Sequence, residues 1–180
     1  YVIFEHLGGS SEEQQWANYR LSEGKGITLW GKTNTPYYQL IMGYGSDSNF
    51  SSIGHESRGF QGKRLLGYFE SHDEERVMYK ALQFGNDWDG YNIQELNTAL
   101  SRMSAIGAMS LTIPGPKMIW HFSDLGMENS LFTCNDGSVN EPDCKLDTKP
   151  QPQWDDNWLN NDKRREIYDN WSRIIDLKIN

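Results

Sequence analysis

Acidic and histidine side chains follow three apolar runs in this sequence of 180 residues. They are Glu5-His6, then Glu70 with the pair His72-Asp73, and finally His121 with Asp124. A carboxylate at the end of a buried strand is costly unless it is paired, hydrogen-bonded or catalytic. Because parallel strands present their carboxyl ends at one edge of a sheet, we expect Glu5, Asp73 and Asp124 to gather around a shared opening.

Carboxylates that face each other across a pocket are typical of glycoside hydrolases. One carboxylic acid protonates the leaving oxygen, and a second carboxylate attacks the anomeric carbon or activates water. A metal-dependent hydrolase is an alternative, since imidazole and carboxylate groups are also metal ligands. Its candidate ligands are His6, His55, His72, His121 and Asp73, although no tight motif, such as two His four residues apart on a helix, joins them.

The elements that must position these side chains follow from the apolar pattern. Continuous apolar runs predict strands covered on both faces, as in parallel sheets. The predicted strands are 2–4, 65–69 and 117–122, with a weaker candidate at 27–30, and the predicted helices are 12–21, 93–111 and 162–178. Alternation of strands and helices predicts an α/β fold built from βα units.

Two of the predicted helices have further sequence signals. Asn92 is expected to cap the helix 93–111, with Glu95 reaching back to its backbone, and Pro114 is expected to follow its end. The inner face of the last helix is expected to carry Ile167, Tyr168, Trp171, Ile174 and Ile175.

Two long irregular segments, 43–62 and 123–161, are candidates for substrate-facing loops, since loops of this length are uncommon without a function. The second contains the only two cysteines, Cys134 and Cys144. Their spacing around a Gly- and Pro-bearing turn favours a local disulfide over two free thiols. A disulfide indicates an oxidising compartment outside the cytoplasm.

Composition excludes several classes of protein. The formal net charge is −8, and there is no basic stripe of the kind that binds nucleic acid. No apolar run approaches the ~20 residues that a membrane-spanning helix needs. Aromatic residues make up 13% of the chain, and their flat faces suit ring-shaped ligands such as sugars as well as core packing.

Three segments together resemble the α-amylase family of glycoside hydrolases. Phe69 to Arg76 resembles the seventh-strand signature, with Ser71 where the family has Asn before His-Asp. Gly115 to Gly126 resembles the eighth-strand motif, with Ser123 and Asp124 where the family usually has Gly and Glu. Val2 to His6 resembles the fifth strand, which ends in the catalytic acid. The segments occur in the family's order and span essentially the whole chain.

The resemblance implies a retaining hydrolase acting on α-glucans such as starch. Glu5 would be the general acid/base, and Asp73 would hold sugar hydroxyls and stabilise the oxocarbenium-like transition state. His72 would donate a hydrogen bond to the same sugar. Arg76 would touch substrate or orient Asp73, or else form a salt bridge with Glu74 or Glu75.

The resemblance also implies that the sequence is a piece of a larger domain. The family's nucleophile, an Asp on the fourth strand, would precede Tyr1, and a complete barrel needs about 250 residues. We therefore expect residues 1–180 to form the C-terminal half of a (β/α)₈ TIM barrel, strands five to eight, inactive by itself. Its exposed sheet edges are expected to pair with the missing N-terminal half or with a second copy.

Further expectations concern partners and metal. The expected partner is an α-glucan oligo- or polysaccharide, with no nucleic acid and no membrane span, in a protein that is secreted, periplasmic or on the cell surface. A structural calcium ion is frequent in the family, and the loop around Asp136 and Asp143 is the candidate site here. A non-catalytic glucan-binding relative and a metal-dependent hydrolase barrel stay open as alternative functions, and the motifs do not distinguish hydrolysis from glucanotransfer or branching.

Overall fold

The parallel sheet consists of β1 (Ile3–Phe4), β2 (Thr28–Lys32) and β3 (Leu65–Tyr68), in that spatial order. The computed structural model describes residues 2–180. All four residues of β3 are buried, as its continuous apolar run predicts. Because the three strands run in the same direction, their carboxyl ends lie at one edge of the sheet.

Within residues 2–180, six α-helices, five short 3₁₀ turns and one hairpin complete the regular structure. The helices are α1 (Ser10–Asn18), α2 (Asn34–Met42), α3 (Val77–Phe84), α4 (Leu96–Leu111), α5 (Pro152–Asp155) and α6 (Asp162–Ile179). The hairpin is antiparallel and pairs β4 (Asp87–Trp88) with β5 (Tyr91–Asn92).

The expectation of half a (β/α)₈ TIM barrel, with strands alternating regularly with helices, is wrong. Only 10% of the chain is in strands, which form a three-stranded parallel sheet and a separate two-stranded antiparallel one. The predicted strand 117–122 contributes a single bridge, between Gly67 and Lys117. The segment leaves the sheet after Met118, whose N–H donates to the Gly67 carbonyl. Phe122, farther along, adopts a left-handed backbone conformation (φ 59°) and leads into the 3₁₀ turn Ser123–Leu125.

The main core lies where α4 and α6 pack together. Leu100, Met103 and Ile106 of α4 are fully buried. The indole of Trp171 on α6 donates a 2.9 Å hydrogen bond to the carbonyl of Met103. Gly107 permits this approach, since a Cβ at that position would lie 2.0 Å from the indole nitrogen.

The prediction for α6 is largely confirmed, whereas the predicted start of α4 is wrong. α6 spans Asp162–Ile179, close to the prediction, and the Asn161 side chain caps it by accepting from the backbone of Lys163 and Arg164. Its residue Tyr168, however, is 44% exposed rather than on the inner face. The predicted cap at Asn92 is wrong, because α4 begins at Leu96 and Asn92 belongs to β5.

The first strand also differs from its prediction. Ile3 and Phe4 are 46% and 41% exposed, so β1 is a short, exposed strand rather than a covered one. An apolar run indicates a preference for burial, but a strand becomes buried only where other elements pack over it.

Among residues 2–180, no helix has both the length and the apolar character to cross a membrane.

Candidate active site

The turn that follows β3, residues 70–76, directs its acidic side chains to two different environments. Glu70 and Glu74 point into the protein, and each is buried. Asp73, between them in sequence, is 44% exposed. The segment that resembles a catalytic signature is therefore divided into a buried part and an exposed part.

The buried part is a hydrogen-bond network centred on Glu70. Its carboxylate accepts from the backbone N–H of Val77 at 2.8 Å, from the hydroxyl of Ser123, and from the guanidinium of Arg76 at 3.3 Å. Glu74 is also paired, since it accepts from Lys32 at 2.9 Å and from the hydroxyl of Ser71. The two serines that depart from the family pattern thus bind buried carboxylates of this turn.

The exposed part is a cluster of Glu5, His72 and Asp73. His72 Nε2 lies 3.5 Å from a carboxylate oxygen of Glu5 and 3.5 Å from one of Asp73. One ring nitrogen of His72 and one carboxylate oxygen each of Glu5 and Asp73 lie within 4.8 Å of one another. Glu5 follows β1 and Asp73 follows β3, so the parallel sheet brings them to the same edge. Trp30 of β2, the strand between them, places its ring 5.9 Å from the ring of His72.

Lys145 completes the cluster, and sequence reasoning missed it. Its ammonium donates to the Asp73 carboxylate. This hydrogen bond, with smaller contributions from His72 and Lys32, lowers the pKa of Asp73 below its usual range. The one feature of the sequence that pointed to Lys145 is its neighbour Cys144, because a disulfide restricts the position of the residue next to it.

The loop that carries Lys145 is held in place at two points. Cys134 and Cys144 form the predicted disulfide, with Cα atoms 4.9 Å apart. Glu75 binds the same loop, accepting from the Ser130 hydroxyl at 2.6 Å and from the Leu131 backbone at 2.7 Å. The disulfide is typical of an oxidising environment.

A cleft of about 640 Å³ opens beside Asp73. Its lining combines the turn after β3 with the second long loop, and includes His72, Asp73, Trp120, His121 and Lys145. The expectation that segment 123–161 faces this opening therefore agrees with the geometry. Segment 43–62 contributes no residue to the lining of this cleft.

Arg76 lines the cleft, so its expected contact with substrate stays a prediction, but it has neither of the contacts within the protein that were expected for it. It is buried and pairs with Glu70 rather than with Asp73, Glu74 or Glu75. Its guanidinium also donates to the His121 carbonyl at 3.0 Å and lies against the His121 ring. Burial, together with the charge of Arg76, lowers the pKa of His121 to about 4. Arg76 thus connects the buried network to the wall of the cleft.

Asp124 does not join Glu5 and Asp73. It lines a second cavity beyond Trp120 and His121, and its partial burial raises its pKa. Of the three carboxylates expected to share one opening, Glu5 and Asp73 lie close together, but Glu5 is not among the residues that line the cleft beside Asp73. Asp124 lies elsewhere because pairing with β3 ends after residue 118 and the chain then turns at Phe122.

The structure shows which of the candidate metal ligands lie close enough together to bind one ion. Of the five candidate ligands, only His72 and Asp73 fall in one potential ligand group, with Glu5 as its third member. The ammonium of Lys145 already lies at Asp73, where it would repel a cation. Asp136 and Asp143 share no such group among the described residues, and the calcium site stays a prediction.

Neither a protein-family model nor a curated protein matches this chain. Its functional interpretation therefore depends on the geometry of the cluster and on the three resembling segments.

Proposed function

We propose that this protein is a glycoside hydrolase that acts on α-glucans by a retaining mechanism, related to the α-amylase family. The supporting observation is the placement of two carboxylates, Glu5 and Asp73, on either side of His72 at the carboxyl edge of a parallel sheet. Their oxygens lie within 4.8 Å. The choice of a retaining mechanism rests on the resemblance to the α-amylase family, in which the nucleophile is a third carboxylate rather than the counterpart of Glu5 or Asp73.

Each member of the cluster has a chemically suitable role. Glu5 protonates the glycosidic oxygen as the bond breaks and later accepts a proton from water. Asp73 stays ionised because of Lys145, so its negative charge stabilises the oxocarbenium-like transition state. His72, whose Nε2 lies 3.5 Å from each carboxylate, donates to a sugar hydroxyl. The resemblance assigns the nucleophile to no residue of the printed sequence.

A non-catalytic glucan-binding domain is the second candidate function. The pairing of Asp73 with Lys145 favours it, because an ion pair partly neutralises the carboxylate that the mechanism needs. The disulfide supports a location outside the cytoplasm for either candidate: secreted, periplasmic or at the cell surface.

The experiment compares two substrates that differ in leaving group. Maltoheptaose needs a proton on its leaving oxygen, whereas α-maltosyl fluoride releases fluoride without one. Both are assayed with and without azide, which attacks C1 in place of a carboxylate nucleophile. The C1–F bond then breaks, a C1–N bond forms, and the product is β-maltosyl azide.

With azide present to replace the missing nucleophile, we expect Glu5→Gln to slow maltoheptaose cleavage by about 10²–10⁴-fold while fluoride turnover stays near normal, because only the first reaction needs general acid catalysis. Glu12→Gln is the matched control, since Glu12 is an exposed carboxylate on α1 that lies near His6 rather than in the cluster. Equal losses on both substrates would remove Glu5 from the acid role. Absence of azide-dependent turnover of both substrates by the unmodified chain would reject the enzyme in favour of the binding domain.

A further inference from the structure

A second cavity of about 620 Å³ lies on the far side of Trp120 and His121 from the cleft. Both residues line the two cavities, so they form a wall between them. Asp124, which has no place in the proposed chemistry, lines the second cavity. Neither the mechanism nor the disulfide loop accounts for this cavity.

Aromatic rings form much of the second cavity. Trp154 is 67% exposed, and Tyr168 is 44% exposed. Phe122 packs edge-on against the Trp154 indole, with ring centroids 5.4 Å apart, and so supports its orientation. An exposed indole held in this way offers a flat apolar surface to a ligand.

A buried amide beside these rings lacks a hydrogen-bond donor. Gln153 lines the cavity and is only 4% exposed. Its Nε2 donates to the side chain of Gln151, whereas its Oε1 has no partner among residues 2–180. Because buried polar atoms are nearly always paired, an unpaired carbonyl oxygen indicates a place for a donor from a ligand or from water.

The combination of rings and acceptors selects the chemistry of the ligand. Asp124 and Gln153 offer acceptor oxygens, and no Lys or Arg is among the residues that line the cavity. Such a site disfavours anions and suits a neutral molecule with hydroxyl donors and one apolar face. A pyranose ring has both properties.

We propose that the second cavity binds a glucosyl unit of an α-glucan outside the cleft, with the ring against Trp154 and hydroxyls directed to Gln153 and Asp124. The choice of an α-glucan rests on the proposed function, whereas the choice of a sugar rests on the cavity. Substrate held on both sides of the Trp120–His121 wall would be retained by two contacts rather than one.

The test uses the full chain labelled with ¹⁵N at its tryptophans, titrated with maltotriose. We expect a saturable shift of the Trp154 indole signal. By calorimetry in an Asp73→Asn, Glu5→Gln background that disables the cleft, Trp154→Ala should weaken maltotriose binding roughly tenfold. Trp88→Ala is the matched control, because Trp88 is an exposed tryptophan of the hairpin and does not line the second cavity. Gln153→Met, which keeps the side-chain length but removes the acceptor, should weaken binding as well.

The outcomes distinguish failure of the second sugar site from failure of the hydrolase proposal. A Trp154 signal unaffected by maltotriose would overturn the second site, even if the fluoride assay shows turnover. Equal affinity of the Trp154→Ala and Trp88→Ala variants would also overturn it. A saturable Trp154 shift without any turnover would support the sugar site while the hydrolase proposal fails. Binding of inorganic phosphate in preference to maltotriose would contradict the selection of a neutral ligand.

Discussion

Glu70 and Asp73 lie three residues apart in one turn, yet their environments are opposite. Glu70 is 2% exposed and accepts hydrogen bonds from a backbone amide, a hydroxyl and a guanidinium. Asp73 is 44% exposed and has Lys145 as its main partner. A carboxylate whose oxygens are already bonded within the protein stabilises the fold. One with free lone pairs at the edge of a cleft is available to a ligand.

The largest difference expected between the two regions is in stability. Glu70→Ala leaves the Arg76 guanidinium buried without its carboxylate and removes the acceptor of the Val77 amide. We expect the free energy of unfolding to fall by about 3–5 kcal/mol, as for other broken buried pairs. The measurement is urea denaturation, with the slope compared between variants.

Asp73→Ala is the matched control for Glu70→Ala, because it removes a carboxylate from the same turn. Since Asp73 is exposed and its ion pair is screened by solvent, its loss should change the free energy of unfolding by less than about 1 kcal/mol. Similar losses in the two variants would show that the buried network and the exposed cluster do not differ as the structure indicates.

Much of the exposed cluster could be predicted from the sequence. Glu5 and His72-Asp73 follow apolar runs, and the rule that parallel strands end at one edge of a sheet is enough to bring them together. The same rule failed for Asp124, because the run 117–122 forms one bridge before the backbone turns at Phe122. An apolar run does not show where pairing with the neighbouring strand stops.

The buried network and the loop contacts were not predicted. Arg76 could be placed against Glu74 or Glu75 by sequence proximity, but its partner Glu70 depends on how the turn folds back. Lys145 is 72 positions away from Asp73. Such a contact depends on the path of a loop, and no periodic pattern encodes that path.

A second, smaller effect is expected from the disulfide that holds this loop. In the double variant, Ser replaces both Cys134 and Cys144. The unfolded chain then gains conformational entropy, because its loop is no longer closed by the disulfide, and the free energy of unfolding should fall by about 3 kcal/mol. The change should appear in the urea midpoint, and reduction of the unmodified protein should reproduce it. If neither treatment shifts the midpoint, the crosslink does not stabilise the loop beside the exposed cluster.

The smallest expected effect is a change in the pKa of Asp73. It tests the environment of Asp73 directly, without any change at Glu70. Lys145→Met removes the ammonium that donates to Asp73, so the pKa of this carboxyl should rise toward its ordinary value. The carboxyl ¹³C signal of Asp73, followed against pH, measures it directly. Lys163→Met is the control, since Lys163 pairs with Glu166 on the surface of α6.

The sign of the accompanying change in stability follows from linkage. A carboxyl whose pKa is lowered by folding stabilises the protein above its unfolded pKa, near 3.9, and this contribution is lost as the pH falls through the folded pKa. Lys145→Met should therefore reduce stability near neutral pH by less than about 1 kcal/mol and flatten its decline in acid. An unchanged Asp73 pKa in this variant would mean that Lys145 does not hold the carboxylate in solution. The cleft would then contain a free anion, which would weaken the case for a binding domain and strengthen the case for a hydrolase.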